Sequence, residues 1–336
     1  MANAFITGVS GTALTADERA FLRDADPWGF ILFKRNVDTP EQVRALVDAM
    51  REAVGQGDAP VLIDQEGGRV QRLAPPHWPK YPPGAHYAAL YDKDKETGLV
   101  AARLGARLIA NDLAALGITV DCLPLADVPV SEADPIIGDR AYGTTPAKVA
   151  AIAQAVTDGL MDAGVLPVLK HIPGHGRATA DSHLALPVVD IDQATLESSD
   201  FAAFKPLAQL PLGMTAHVVF SAIDPDAPAT TSVKMVREVI RGFIGFDGLL
   251  MSDDVSMNAL SGTLARRTRA ALAAGCDVAL HCNGKLDEMY EVASESPKLA
   301  GEPARRANAA LAARRKPMTF DVAEARLDFD AMLARV

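Results

Sequence analysis

The sequence predicts a (β/α)8 barrel, in which eight parallel strands alternate with helices and close into a cylinder. Eight short apolar runs recur along the chain, and each is followed by a stretch long enough for a helix. Polar residues fall where these runs end, and the length of 336 residues suits one such barrel with insertions. We expect a single domain over residues 1–336, with a doubly wound open sheet as the alternative.

The predicted strands are short apolar runs bounded by polar residues, glycine or proline. They cover residues 5–9, 29–33, 60–64, 119–125, 166–170, 213–217, 248–253 and 277–281. None of these runs approaches the roughly 20 apolar residues that a membrane-spanning helix needs. We therefore expect no membrane segment.

Helical patterning separates these runs. It covers residues 40–54, 100–116, 148–163, 195–204, 233–243 and 264–274. The tail after Lys285 is rich in Ala, Arg and Glu, and it predicts terminal helices that pack on the barrel from about residue 285. No linker or shift in composition indicates a second domain.

The composition excludes several classes of partner. The chain carries 33 basic and 43 acidic residues, a formal charge of −10, which disfavours a nucleic-acid surface or an anionic membrane. The N-terminus lacks the basic region and long apolar region of a signal peptide, so we expect a cytoplasmic protein. The three cysteines are irregularly spaced, which fits reduced thiols better than a disulfide framework or a zinc site.

One loop contains several candidate catalytic side chains. Three of the seven histidines, His171, His175 and His183, lie within residues 170–183, just after the fifth predicted strand. A metal site is disfavoured because Pro173 and Gly174 separate the first two histidines and prevent the helical spacing that zinc ligands use. Histidines that only stabilise a tight turn are a second interpretation. We prefer a catalytic one, in which Asp181 orients the imidazole of His183.

Other polar residues end the predicted strands, where active sites of (β/α)8 barrels lie. They are Asp64, Asp127, His171, His217, Asp253 with Asp254, and His281. Charges are costly inside a barrel, so their repeated position at one end favours a functional site. For any one of them, a solvated charge or a helix cap is an equal alternative, and Asp254 fits that alternative best.

With these motifs in hand, the chain resembles the β-N-acetylglucosaminidases of glycoside hydrolase family 3, in particular the short bacterial type that acts in peptidoglycan recycling. The resemblance is carried by Ile-Asp-Gln-Glu-Gly-Gly-Arg-Val at 63–70, Gly-Asp-Arg-Ala-Tyr-Gly at 138–143, Lys-His-Ile-Pro-Gly-His-Gly at 170–176, Asp-Ser-His at 181–183, Met-Thr-Ala-His at 214–217 and Ser-Asp-Asp at 252–254. It implies the same barrel and leaves no room for the further C-terminal domain of longer relatives.

The resemblance also implies a retaining mechanism with a covalent glycosyl-enzyme. Asp253 matches the family nucleophile, a role that suits a carboxylate because it can attack the anomeric carbon and later leave it. His183 matches the acid/base residue and is paired with Asp181, where most retaining glycosidases use a second carboxylic acid. An imidazole can donate and accept a proton near neutral pH.

The remaining matches imply sugar binding. Asp64, Arg72, Arg140, Lys170 and His171 correspond to residues that line the sugar pocket in the family. We expect Glu66 and Arg69 to be structural, either by forming ion pairs or by supporting the turn at Gly67 and Gly68. The residues expected to support the site from behind are Asp127, His175 and His217, and His281 receives no assignment.

The function that the resemblance implies is exo-acting β-N-acetyl-D-glucosaminidase activity. The expected substrate is an N-acetylglucosaminyl-anhydro-N-acetylmuramic acid and its peptides, with no metal, no other cofactor and a monomeric enzyme. A phosphorylase that uses phosphate in place of water, and a β-glucosidase, are alternatives within the family. A sugar-binding protein without catalysis is disfavoured because Asp253 and His183 are both present.

Overall fold

The computed structural model describes residues 2–336. Eight parallel strands form a closed barrel in which each strand pairs with its neighbour in sequence and the last pairs with the first. We number them β1–β8: Asn3–Thr7, Pro27–Leu32, Val61–Ile63, Val120–Asp121, Leu166–Ile172, Leu212–Thr215, Leu249–Asp254 and Val278–His281. The prediction of a closed barrel rather than an open sheet is confirmed.

The strands alternate their side chains between two buried layers, as the period of two requires. Ile6, Leu62 and Met251 point into the barrel and belong to a cluster that fills its interior. Their neighbours Phe5 and Val61 belong to a second cluster, between the strands and the surrounding helices. Both faces of each strand are therefore buried, which explains the nearly continuous apolar runs in the sequence.

Helices surround the barrel. Within residues 2–336, α1–α10 are Ala16–Ala25, Pro40–Val54, Gly84–Lys93, Lys95–Ala114, Pro146–Asp162, Gln193–Ser198, Leu264–Ala274, Leu286–Ser294, Gly301–Ala312 and Val322–Leu333. A further helix, Met235–Ile244, has π-type hydrogen bonding and ends at Gly245, whose φ is 79°. The predicted terminal helices are present: α8 packs on β1, α9 on β7, and α10 on α4.

The largest differences between the predicted and the observed elements concern β4, α6 and two helices in the N-terminal half of the chain. The predicted strand at 119–125 is reduced to Val120–Asp121, since Pro124 cannot donate to a strand ladder. The predicted helix at 195–204 ends at Ser198, where the hydroxyl groups of Ser198 and Ser199 both donate to the carbonyl of Thr195 and compete with the backbone. Helices α1 and α3 were not predicted.

Helix α1 carries a start signal that the sequence displays. Thr15 and Glu18 form a reciprocal capping box in which each side chain accepts a hydrogen bond from the backbone N–H of the other.

Among residues 2–336, no helix combines the length and the apolar composition that crossing a bilayer requires.

Candidate active site

A pocket of about 350 Å³ opens at the C-terminal ends of the barrel strands. Seven of the eight predicted site residues line it: Asp64, Arg72, Arg140, Lys170, His171, His183 and Asp253. The eighth, Asp181, lies behind His183 and contacts its imidazole. The fold therefore brings together residues that are spread over about 190 positions of the chain.

Two carboxylates and three cations form one wall of the pocket. The ammonium of Lys170 lies 3.1 Å from Oδ1 of Asp64 and 2.7 Å from Oε1 of Glu66. Arg72 donates to Oδ2 of Asp64 at 2.9 Å. Arg140 donates to both oxygens of Glu66, each at 2.8 Å, in the bidentate geometry that a guanidinium favours. We call these five residues the charged wall.

The charges of this wall are fixed near neutral pH. Burial alone would raise the pKa of Glu66, but the positive charges of Lys170 and Arg140 lower it to about 2. Burial is likewise outweighed at Asp64, where Lys170 and Arg72 hold the pKa of the carboxyl far below its usual range. Burial would lower the pKa of Lys170, yet the two carboxylates raise it. Neither carboxylate of the wall can act as a general acid at neutral pH.

Glu66 forms ion pairs, one of the two kinds of structural contact expected for it. It is buried in the charged wall, where it pairs with Lys170 and Arg140, two of the predicted sugar-binding residues. Arg69 does have a structural contact, because its guanidinium donates to Asp139 at 3.0 Å and to the carbonyl of Pro135 at 3.0 Å.

Beside the charged wall, the buried carboxylate of Asp127 holds His171 and His175 by hydrogen bonds. His171 at the end of β5 has its Nδ1 2.7 Å from Oδ2 of Asp127, and the other oxygen of Asp127 accepts the backbone N–H of His175 at 2.6 Å. Burial would raise the pKa of Asp127, but the neighbouring His171 holds it below the usual value. This carboxylate orients the imidazole of His171 in the pocket wall.

Asp253 lies near the end of β7 with its carboxylate at the pocket. Its Oδ1 accepts the backbone N–H of Asp254 at 2.8 Å. Burial raises the pKa of the carboxyl, but the nearby imidazoles of His217 and His171 offset this and leave the pKa below its usual value. Asp253 is therefore ionised at neutral pH, as a nucleophile must be.

Asp254, the residue after Asp253, has a different environment. The carboxylate of Asp254 accepts the backbone N–H and hydroxyl of Ser256 and the backbone N–H of Cys282. His217 contacts the same residue, since its Nε2 donates to the backbone carbonyl of Asp254 at 3.0 Å. These contacts fit the expectation that Asp254 serves a local structural purpose.

Asp181 and His183 form a pair at the pocket rim. Oδ1 of Asp181 accepts the backbone N–H of His183 at 2.9 Å and lies 2.7 Å from its Nδ1. Burial would raise the pKa of Asp181, but these two bonds keep it low. A carboxylate at this position places the imidazole proton on Nδ1 and leaves Nε2 available for proton transfer. The side chain of His183 is 61% exposed, so solvent reaches it.

Arg35, which was not predicted as a site residue, follows β2 and lines the pocket. Its guanidinium donates to the carbonyls of Val9 and Cys282 and lies 5.1 Å from the ring centre of Phe33. Arg72 contacts the same ring at 5.3 Å. A charged residue three positions after an apolar strand was the available signal, but it also fits a solvated loop charge.

His281, which received no assignment, is buried and bonded to Glu288 at 3.0 Å. Among residues 2–336, no group of three or more His, Cys, Asp or Glu side chains is arranged to hold a metal ion.

The chain matches known proteins over most of its length. Residues 6–309 match the model of the glycosyl hydrolase family 3 N-terminal domain. A beta-hexosaminidase of Alkalilimnicola ehrlichii is 41% identical over 280 residues, which cover 82% of this chain and 79% of that protein. A beta-hexosaminidase of Pseudomonas aeruginosa is 38% identical over 288 residues, covering 85% and 84% of the two chains.

Among solved structures, the chain is similar to NagZ from Neisseria gonorrhoeae in complex with N-trifluoroacetyl-D-glucosamine. The TM-score is 0.84 at 29% sequence identity, and the match covers 99% of this chain and 96% of that one.

Proposed function

The chain belongs to glycosyl hydrolase family 3 and is a glycoside hydrolase of the beta-hexosaminidase type, and from this premise we propose that it is an exo-acting, retaining β-N-acetyl-D-glucosaminidase. The observation that carries the proposal is the meeting of the ionised carboxylate of Asp253 and the Asp181–His183 pair at one pocket. The N-acetylglucosamine derivative named with the gonococcal NagZ structure supports the choice of sugar. No metal or other cofactor takes part in the proposed reaction.

The pocket suits release of one sugar at a time. Its volume of about 350 Å³ lies at the lower end of the range for small-molecule sites, which is roughly 300–1,000 Å³. A terminal, non-reducing N-acetylglucosamine would enter it, and the rest of the glycan would remain outside. This supports exo-acting rather than internal cleavage.

In the first step, a carboxylate oxygen of Asp253 attacks the anomeric carbon while the bond from that carbon to the leaving oxygen breaks. His183, in its imidazolium form, transfers a proton from Nε2 to the leaving oxygen. The carboxylate of Asp181 stabilises the imidazolium before the transfer. The products are the free aglycone, which was β-linked to the sugar, and an α-linked glycosyl ester of Asp253.

In the second step, the neutral imidazole of His183 takes a proton from water as the water oxygen attacks the anomeric carbon. The ester bond to Asp253 breaks, its carboxylate is restored, and β-N-acetylglucosamine is released with retained configuration. The electrostatics of the pocket favour His183 in this acid/base role, because the carboxylates of Asp64 and Glu66 are locked in ion pairs.

We assign sugar binding to His171 and to the four residues of the charged wall other than Glu66. Ammonium and guanidinium groups donate hydrogen bonds to hydroxyl and acetamido oxygens, and a carboxylate such as that of Asp64 accepts from hydroxyls. Asp64, Arg72, Arg140 and Lys170 present both kinds of group to the same space. Their mutual ion pairs also hold them in position before the sugar arrives.

The proposed natural substrate is a cytosolic anhydro-muropeptide of peptidoglycan recycling, in which N-acetylglucosamine is linked to anhydro-N-acetylmuramic acid with or without a peptide. We propose that the enzyme is cytoplasmic, where this substrate occurs, and monomeric, since the proposed site is complete without a group from a partner subunit. Incubation of the enzyme with the defined disaccharide should yield free N-acetylglucosamine and anhydro-N-acetylmuramic acid. Absence of cleavage would contradict the proposed substrate.

Two alternatives are separated by product and substrate analysis. A phosphorylase would form N-acetylglucosamine 1-phosphate in phosphate buffer, whereas the hydrolase forms the free sugar in phosphate and in non-phosphate buffer alike. A β-glucosidase would prefer nitrophenyl β-glucoside to nitrophenyl β-N-acetylglucosaminide, and we expect the opposite preference.

A further inference from the structure

Ser182 stands between the two residues of the proposed acid/base pair and has contacts of a different kind. It is buried, while the side chain of His183 beside it is mostly exposed. Its Oγ lies 3.0 Å from Nε2 of His175, and its carbonyl accepts the backbone N–H of Ala259 at 3.2 Å. Ala259 belongs to the segment that follows Asp253 on β7. Ser182 thus ties the acid/base segment both to the β5 loop and to the segment after the proposed nucleophile.

His175 is itself held in place from the interior. Its backbone N–H donates to Oδ1 of Asp127 at 2.6 Å, and Oδ2 of Asp127 lies 2.7 Å from Nδ1 of His171. His175 and Asp127 are both buried. An unbroken series of contacts therefore leads from His171 in the sugar pocket, through Asp127 and His175, to Ser182.

The direction of the bond between His175 and Ser182 follows from what surrounds the ring. Burial, and after it the neighbouring imidazole of His171, lowers the pKa of His175 to about 4, so the ring of His175 is neutral at physiological pH and carries one N–H. Within the described residues, Nδ1 of His175 is buried and has no hydrogen-bond partner. Because orphaned buried N–H groups are rarer than orphaned acceptors, the proton belongs on Nε2, which donates to the hydroxyl of Ser182.

We propose that His175 and Ser182 are positioning residues. They hold the segment that bears His183 in the position from which Nε2 of His183 can reach the leaving oxygen. Neither residue transfers a proton. This inference rests on the proposed acid/base role of His183. It adds that the role depends on a buried bond one residue away, in addition to the contact with Asp181.

A positioning role has a kinetic consequence that a general loss of stability lacks. A poor leaving group needs the proton from His183, whereas a dinitrophenolate leaves without it. Displacing His183 should therefore lower kcat/KM, which reports the glycosylation step, for an alkyl N-acetylglucosaminide and leave the dinitrophenyl substrate nearly unchanged. A variant that merely unfolds part of the enzyme would lower both values in proportion.

The test compares Ser182→Ala with the wild type on methyl and 2,4-dinitrophenyl β-N-acetylglucosaminide. We expect kcat/KM to fall roughly 3- to 10-fold on the methyl glycoside, the size expected for losing one neutral hydrogen bond, and less than about 2-fold on the dinitrophenyl one. Ser296→Ala is the matched control, because it also removes a buried hydroxyl, one that donates to the carbonyl of Val292 far from the pocket. It should change neither value.

A second pair of variants decides the question if Ser182→Ala is poorly folded. His175→Gln keeps an N–H donor near the position of Nε2, so it should retain more activity on the methyl glycoside than His175→Ala. Equal losses on both substrates for Ser182→Ala, or equal activity of the two His175 variants, would overturn the proposal.

His183→Ala, measured in the same assays, separates this proposal from the proposed function. If His183→Ala shows the leaving-group dependence and Ser182→Ala does not, the positioning proposal is wrong and the acid/base assignment stands. If His183→Ala loses equally on both substrates, the acid role is wrong and the positioning proposal falls with it.

Discussion

The Nδ1 atom of His183 lies 2.7 Å from Oδ1 of Asp181, at the rim of the pocket that Asp253 also lines. The same carboxylate oxygen accepts the backbone N–H of His183 at 2.9 Å, so the contact fixes both the ring and its segment. Replacement of either residue should therefore change how protons reach the leaving group.

The first prediction concerns the carboxylate of this pair. Asp181→Asn keeps the hydrogen-bonding shape but removes the negative charge that stabilises the imidazolium. The two bonds to His183 keep the pKa of Asp181 below its usual value, so the carboxylate is charged across the assay range. Its loss should lower kcat/KM moderately at the optimum and change the pH profile. Profiles of kcat/KM against pH for the two enzymes test this, and profiles of the same height and shape would count against a catalytic pair.

The second prediction concerns the acid itself. His183→Ala should lose about 10²- to 10⁴-fold in kcat/KM on alkyl glycosides, the usual worth of general acid catalysis, and much less on dinitrophenyl glycosides. The deglycosylation step should slow as well, giving a burst of dinitrophenolate. Added azide should restore turnover because it attacks the glycosyl-enzyme without a general base. A variant with no burst and no response to azide would indicate a binding role only.

The third prediction concerns the charged wall. Glu66→Gln removes the carboxylate that accepts from Lys170 and Arg140, and breaking such a buried pair typically costs about 3–5 kcal/mol. Because the pKa of Glu66 is lowered to about 2, its ion pairs stabilise the fold above the unfolded-state pKa and lose this effect as pH falls toward 2. The difference in unfolding free energy between wild type and variant should thus be full above about pH 5 and shrink below about pH 4.

Urea unfolding at a series of pH values measures this difference. Glu41→Gln is the control, since Glu41 pairs with Arg44 on the surface and should contribute less than about 1 kcal/mol at any pH. A Glu66→Gln difference that stays constant from pH 3 to pH 7 would show that the carboxylate is not ionised in the folded enzyme as described.

The fourth prediction concerns metal ions. Both proposed catalytic groups work without an ion, and residues 2–336 contain no cluster arranged to bind one. Activity should survive prolonged incubation with EDTA and gain nothing from added zinc. Loss of activity on chelation, restored by zinc, would require a different mechanism.

Much of the fold could be predicted from the sequence, because each of the eight buried strands corresponds to an apolar run. The errors arose where side chains alter the local backbone: Pro124 shortens β4, and the hydroxyl groups of Ser198 and Ser199 end α6 early. Helix α1 could have been predicted from the capping pair Thr15 and Glu18.

The site was less accessible from the sequence, because its decisive contacts join distant parts of the chain. Nothing in the local sequence shows that Glu66 meets Arg140 and Lys170, or that Arg35 reaches the carbonyl of Cys282. The motifs place the predicted site residues at the C-terminal ends of the strands, where the pocket opens.

The proposed mechanism requires that Asp253 forms a covalent ester with N-acetylglucosamine. The most direct measurement is mass spectrometry of the His183→Ala enzyme mixed with 2,4-dinitrophenyl β-N-acetylglucosaminide, since slow deglycosylation should let the ester accumulate. We predict a single added N-acetylglucosaminyl residue on the peptide that contains Asp253, and no adduct in the double variant with Asp253→Asn. An enzyme that releases dinitrophenolate in a burst without this adduct, or that carries the sugar on another residue, would rule out Asp253 as the nucleophile.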